Sequence, residues 1–77
     1  MAKKTVKTVN VIEMADGKVL GLTAFPENKQ GNKDAEKRFK DAIGESAPEN
    51  DDEDIQDALD EGHCESGTWE VWLVHSN

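Results

Sequence analysis

His63, Cys64 and His75 are the side chains in this sequence whose types could carry metal or nucleophilic chemistry. Zinc sites draw their ligands from recognisable pairs such as Cys-x2-Cys or His-x3-His, in which one turn presents two ligands to one ion. The chain has no such pair, and the adjacent His63 and Cys64 point in different directions on most backbones. A metal-binding reading on His63, Cys64 and His75 therefore ranks third among the functional readings. Neither a metal nor a cofactor is expected.

The run Asn50-Asp51-Asp52-Glu53-Asp54 is acidic enough to attract calcium. An EF-hand loop, however, needs Gly at its sixth position for the turn and a bidentate Glu at its twelfth. Counted from Asp52, those positions hold Asp57 and His63, so the motif is excluded. Nucleophilic catalysis would require Cys64 or a serine beside a histidine and an orienting acid. The acids Glu61 and Glu65 flanking Cys64 would raise its thiol pKa, away from the reactive thiolate. A core this thin also has little room for a pocket that excludes water. The glycines are scattered as turn punctuation, with Gly21 a candidate bulge, and form no phosphate loop. No catalytic residue is assigned, and the chain is read as a non-enzyme.

What the sequence does carry is charge, unevenly placed. Residues 1–40 hold all nine basic residues against five acids, a balance of +4, whereas residues 41–77 hold twelve acids and no Lys or Arg, a balance of −12, giving the net −8. Such an asymmetry speaks about partners more than about fold. It disfavours direct nucleic-acid binding, although Lys33, Lys37 and Lys40 line one side of a helix. A block of like charge can also serve solubility alone.

The elements that must position these residues follow from periodicity and turn signals. The chain of 77 residues is one small domain, 35% hydrophobic and 34% charged, with residues 1–4 expected to be flexible. Val6 to Met14 reads as a strand, Asp16-Gly17 as a type I′ hairpin turn, and Lys18 to Phe25 as the return strand ended by Pro26. A two-residue turn there pairs Met14 with Val19, Ile12 with Gly21, Val11 with Leu22 and Val9 with Ala24. One hairpin face then holds Val9, Val11, Leu20, Leu22 and Ala24, and the other Ile12, Met14, Val19 and Phe25.

After a polar loop from Pro26 to Gly31, Asn32 is expected to cap a helix running to about Ile43. Ala35, Phe39, Ala42 and Ile43 form its buried stripe, and Gly44 stops it. A second helix begins near Asn50 or Asp51, with Asn50 and Glu53 resembling a capping box. Asp51, Asp52 and Glu53 lie at its dipole-favoured start, Ile55, Ala58 and Leu59 form its narrow apolar face, and Gly62 stops it. Thr68 to His75 reads as a final strand, with Trp69 and Trp72 on opposite faces. The expected fold is α+β: a three-stranded, mainly antiparallel sheet with two helices on one face, in the order β-β-α-α-β.

One cysteine permits no intramolecular disulfide, and no apolar run is long enough for a signal peptide or a membrane span. The cytoplasm is the expected compartment, with no membrane partner.

The second helix is the most informative element. With Ile55, Ala58 and Leu59 turned inward, Glu53, Asp54, Asp57, Asp60 and Glu61 form an unrelieved outward carboxylate surface. Like charges three and four residues apart each cost a helix about 0.2–0.5 kcal/mol. Selection for stability alone would intersperse lysine here. The surface is read as a contact for the basic surface of a host protein, such as a nucleic-acid-binding protein, with Trp72 an added anchor.

In size, charge, single cysteine and element order, the whole chain resembles the small acidic proteins that phages and other mobile elements encode against host machinery. These include anti-CRISPR proteins, RNA polymerase inhibitors and DNA mimics. The resemblance implies a phage-type inhibitor and assigns no residue a role. The alternative reading is a structural or assembly protein that forms a homodimer through a free sheet face bearing Ile12, Met14, Val19 and Phe25.

Overall fold

In the computed structural model, which describes residues 7–76, Asp16 and Gly17 both take positive φ (53° and 76°). They form the two-residue turn between strand β1 (Thr8–Ala15) and strand β2 (Lys18–Pro26). Asp and Gly tolerate that backbone, whose twist matches the flanking strands. The expected start of the strand at Val6 and the first four residues lie outside the described residues.

Met14 pairs with Val19 as the turn dictates, but the register then shifts by one residue between Glu13 and Met14. Leu20 is the extra residue, and beyond it Ile12 faces Leu22, Val11 faces Thr23 and Val9 faces Phe25. This corrects the expected pairings of Ile12 with Gly21, Val11 with Leu22 and Val9 with Ala24. The cause is a bulge beside Gly21, which has no side chain to pack and lets the edge strand bend. Because side chains alternate, the slip exchanges faces on β2. Phe25 turns inward beside Val9, and Leu22 and Ala24 turn outward beside Ile12 and Asn10.

The sheet has four antiparallel strands in the order β2-β1-β4-β3, not three. The added strand is β3 (His63–Ser66), paired with β4 (Trp69–Ser76). Gly67, at φ 61°, opens the two-residue loop between them, a Gly-first hairpin signal. The element order is thus β-β-α-α-β-β. The final strand is one of the two inner strands, pairing with β1 along residues 69–76.

Between the two edge strands the chain crosses one face of the sheet as helix α1 (Lys29–Ser46) and helix α2 (Asp52–Glu61). Helix α1 starts earlier than a cap at Asn32 would allow. Asn28 is its N-cap, and its side chain accepts from the Gly31 N–H at 2.7 Å. A Cβ at position 31 would lie 1.7 Å from the Pro26 carbonyl oxygen, so only glycine lets this first turn pass beneath the end of β2. The helix also runs through Gly44 to a C-cap at Ala47, ahead of Pro48. Ala47 is fully buried and its N–H donates to Ile43, which offsets the ~1 kcal/mol that glycine costs inside a helix.

The core lies between the helices and the inward face of the sheet. Ala35, Phe39, Ala42 and Ile43 of α1 meet Val9, Val11, Trp69 and Val71 there, all buried. Glu13 also faces inward, where its carboxylate pairs with Arg38 and ties β1 to α1. Among the described residues, no helix is long and apolar enough to cross a membrane.

Candidate binding surfaces: the acidic helix and the open sheet face

Helix α2 is held shallowly. Ala58 is its one buried residue, with Ile55 and Leu59 half-buried against the core. Its start carries a capping box, one residue later than Asn50 and Glu53 would place it. The Asp51 carboxylate accepts from the Asp54 N–H at 2.9 Å, and the Asp54 carboxylate accepts from the Asp51 N–H at 3.3 Å. Asp stands in place of both the usual Ser and the usual Glu of this device, so two carboxylates rather than one lie where the helix dipole favours them. Gly62, at φ 77°, ends the helix, and its carbonyl accepts from the Leu73 N–H.

All five outward carboxylates, Glu53, Asp54, Asp57, Asp60 and Glu61, are exposed. Among the described residues none of them pairs with a cation. Asp57 is the centre of the cluster. Glu53 and Asp54 precede it by four and three residues, and Asp60 and Glu61 follow it by three and four. Every helical neighbour of Asp57 on that side is therefore a like charge.

Between α2 and β3 lies a shallow groove of about 270 Å³, lined by Asp54, Asp57, Glu61, His63, Cys64 and Glu65 among others. Cys64 is buried, and its thiol pKa is pushed up, first by burial and then by the charges of Glu49, Asp54 and Glu65. That shift opposes nucleophilic use of the thiol. Glu49, in the connection between the helices, accepts a 2.6 Å hydrogen bond from the Ser66 hydroxyl, which holds its carboxyl below the usual range. His75 lies apart from His63 and Cys64, with its Nδ1 2.7 Å from the Glu27 carboxylate. Among the described residues no three His, Cys, Asp or Glu side chains are grouped to hold a metal ion.

The second surface is the face of the sheet that the helices leave open. Register places Met14 beside Val19 and Glu70, Ile12 between Leu22 and Trp72, and Asn10 between Ala24 and Val74. Val19 is 60% exposed, Leu22 63%, Trp72 37% and Val74 39%. Phe25, expected on this face, packs against the core instead. Trp69 goes inward and Trp72 outward, as the odd spacing requires.

Trp72 is therefore not on the helix-covered side with α2. The two surfaces meet at His63, which lines the acidic groove and stacks on Trp72 with ring centroids 3.9 Å apart. The Trp72 indole N–H donates to Glu70 at 2.5 Å, and His63 Nε2 lies 4.0 Å from the same carboxylate oxygen. Leu22, Ala24 and Val74 are outward positions that the expected open face does not include. Gly21 was the signal that could have found the first two.

Compared with known proteins, the chain matches no family model, no curated protein and no solved structure.

Proposed function

We propose that the chain is a non-enzymatic protein-binding module that docks the carboxylates of α2 on a basic surface of a partner protein. The observation that carries this reading is the isolation of Glu53, Asp54, Asp57, Asp60 and Glu61. They are exposed, grouped around Asp57 and unpaired with any cation among the described residues. A helix under selection for stability alone would carry lysine at some of these positions, since each like-charge pair costs about 0.2–0.5 kcal/mol.

A row of carboxylates suits a site built for phosphates, so a nucleic-acid-binding host protein is the class of partner proposed. A small inhibitor of the phage type would act in this way, by occupying the site that nucleic acid uses. Electrostatic steering would make association fast and sensitive to salt.

The test is capture from cell lysate at low and high salt, using the wild-type chain and a variant carrying Asp54→Asn, Asp57→Asn, Asp60→Asn and Glu61→Gln. A partner retained by the wild type at low salt, released at high salt, displaced by added duplex DNA and lost with the variant is the expected outcome. Equal capture by both proteins would refute the reading.

A further inference from the structure

We propose that the open face of the sheet is a self-association surface, covered by the same face of a second copy of this chain. The proposal stands on different residues from the acidic helix and does not depend on it.

The face across β2, β1 and β4 is apolar and almost free of charge. Val19, Leu22, Ile12, Met14, Ala24, Trp72 and Val74 share it, and Glu70 is its one ionisable residue on these strands. Glu70 is already engaged by the Trp72 indole. A contiguous apolar surface of this kind marks an interaction site, where scattered single residues would not. Its neutrality also selects the occupant. Beyond the single carboxylate of Glu70 it offers no charge for a charged partner to complement, whereas one apolar face complements another.

The rest of the molecule sets the geometry. The chain carries a net charge of −8, so copies repel unless their acidic helices stay apart. Face-to-face pairing does this, because α1 and α2 lie on the far side of each sheet. With packed layers about 10 Å apart, the two α2 helices end on the order of 30 Å from each other, several Debye lengths at ~8 Å. An isologous pairing with its axis over β1 lays β2 of one copy over β4 of the other. The ionisable residues of β3, His63 and Glu65, then fall at the rim.

Area is the remaining criterion. Three strands about 4.8 Å apart, each about eight residues long at ~3.4 Å per residue, cover roughly 400 Å² in plan. With the relief of the side chains, two copies approach the ~1,000 Å² that a specific interface needs. That size suits a reversible, concentration-dependent dimer. Pairing through the β2 edge would instead leave both apolar faces in water.

Sedimentation equilibrium across a concentration series, with backbone-amide and indole NMR shifts recorded over the same range, tests the proposal on the full chain. The expected result is a monomer–dimer equilibrium, with concentration-dependent shifts at Ile12, Leu22, Trp72 and Val74. Leu22→Arg and Val19→Lys, at exposed positions that hold no core contact, should each weaken dimerisation at least about tenfold with an unchanged circular dichroism spectrum. A wild type that stays monomeric at millimolar concentration overturns the proposal. So does dimerisation unaffected by either variant, or a set of shifts confined to α2.

Discussion

His63 stacks on Trp72 across the β3–β4 ladder, ring centroids 3.9 Å apart and planes inclined by 28°. The pair joins the two surfaces of the molecule. One ring borders the acidic groove beneath α2, and the other stands on the open apolar face.

Removing the histidine ring should loosen that corner without unfolding the domain. A stacked aromatic pair contributes about 0.5–1.5 kcal/mol beyond its buried area. His63→Ala is therefore expected to lower the stability measured by urea unfolding by about 1 kcal/mol. Chemical shifts should change at Trp72 and leave Phe39 unaffected.

Two glycines of the same helix should respond in opposite directions. A Cβ at Gly31 meets the Pro26 carbonyl oxygen at 1.7 Å, whereas one at Gly44 meets nothing within 4 Å. Gly31→Ala must displace either β2 or the start of α1, a loss on the order of 3 kcal/mol or more. Gly44→Ala should stabilise by about 0.5–1 kcal/mol, a rise of several degrees in the thermal midpoint of so small a domain. Thermal unfolding of the two variants beside the wild type checks both signs.

The central carboxylate of α2 should trade stability against binding. Asp57→Lys turns four repulsive helical pairs into attractive ones, with an expected gain on the order of 1 kcal/mol at low ionic strength. Added salt should erase most of that gain. The same change should weaken capture of a basic partner. Denaturation at two salt concentrations, run alongside the binding assay, measures both effects.

Cys64 should behave as a protected thiol. Its pKa is raised by burial and by Glu49, Asp54 and Glu65, so a thiol reagent near pH 8 should modify it much more slowly in the folded chain than in urea. The sign of the linked stability follows. The folded state holds its proton to higher pH than the unfolded state does. The thiol's contribution is therefore complete below the unfolded pKa, about 8.5, and is lost as pH rises through the folded value. Cys64→Ala should flatten that alkaline decline in stability.

Much of the architecture was legible in local chemistry. Asp16-Gly17 marked its turn because few other pairs accept positive φ twice in succession. The stripe Ala35, Phe39, Ala42 and Ile43 marked the buried side of α1, and all four are fully buried. What escaped depended on contacts distant in sequence or on single-residue shifts. Four residues, His63 to Ser66, are too few to show a period, and their pairing with β4 makes them a strand. The bulge at Leu20 changes no composition, yet it sends Phe25 inward and Leu22 outward. Asn28 replaces Asn32 as the cap because Gly31 can approach Pro26, a contact invisible along the chain.

The acidic character of α2 was legible because charge needs no register. Its isolation from cations is a three-dimensional observation. Lys33, Lys37 and Lys40 all belong to α1, and none of them reaches α2 as an ion pair among the described residues. The open face had the opposite fate. Alternation along β1 and the turn at Asp16-Gly17 place Ile12, Met14 and Val19 on it, but the slipped register beyond Leu20 removes Phe25 and brings in Leu22 and Ala24.

The most direct measurement is the salt dependence of affinity for the partner that the wild type captures. Log Kd should rise steeply and linearly with log salt, and the slope should flatten when Asp54, Asp57, Asp60 and Glu61 are neutralised together. An affinity indifferent to salt, or one whose slope is the same in the neutralised variant, would contradict binding through α2.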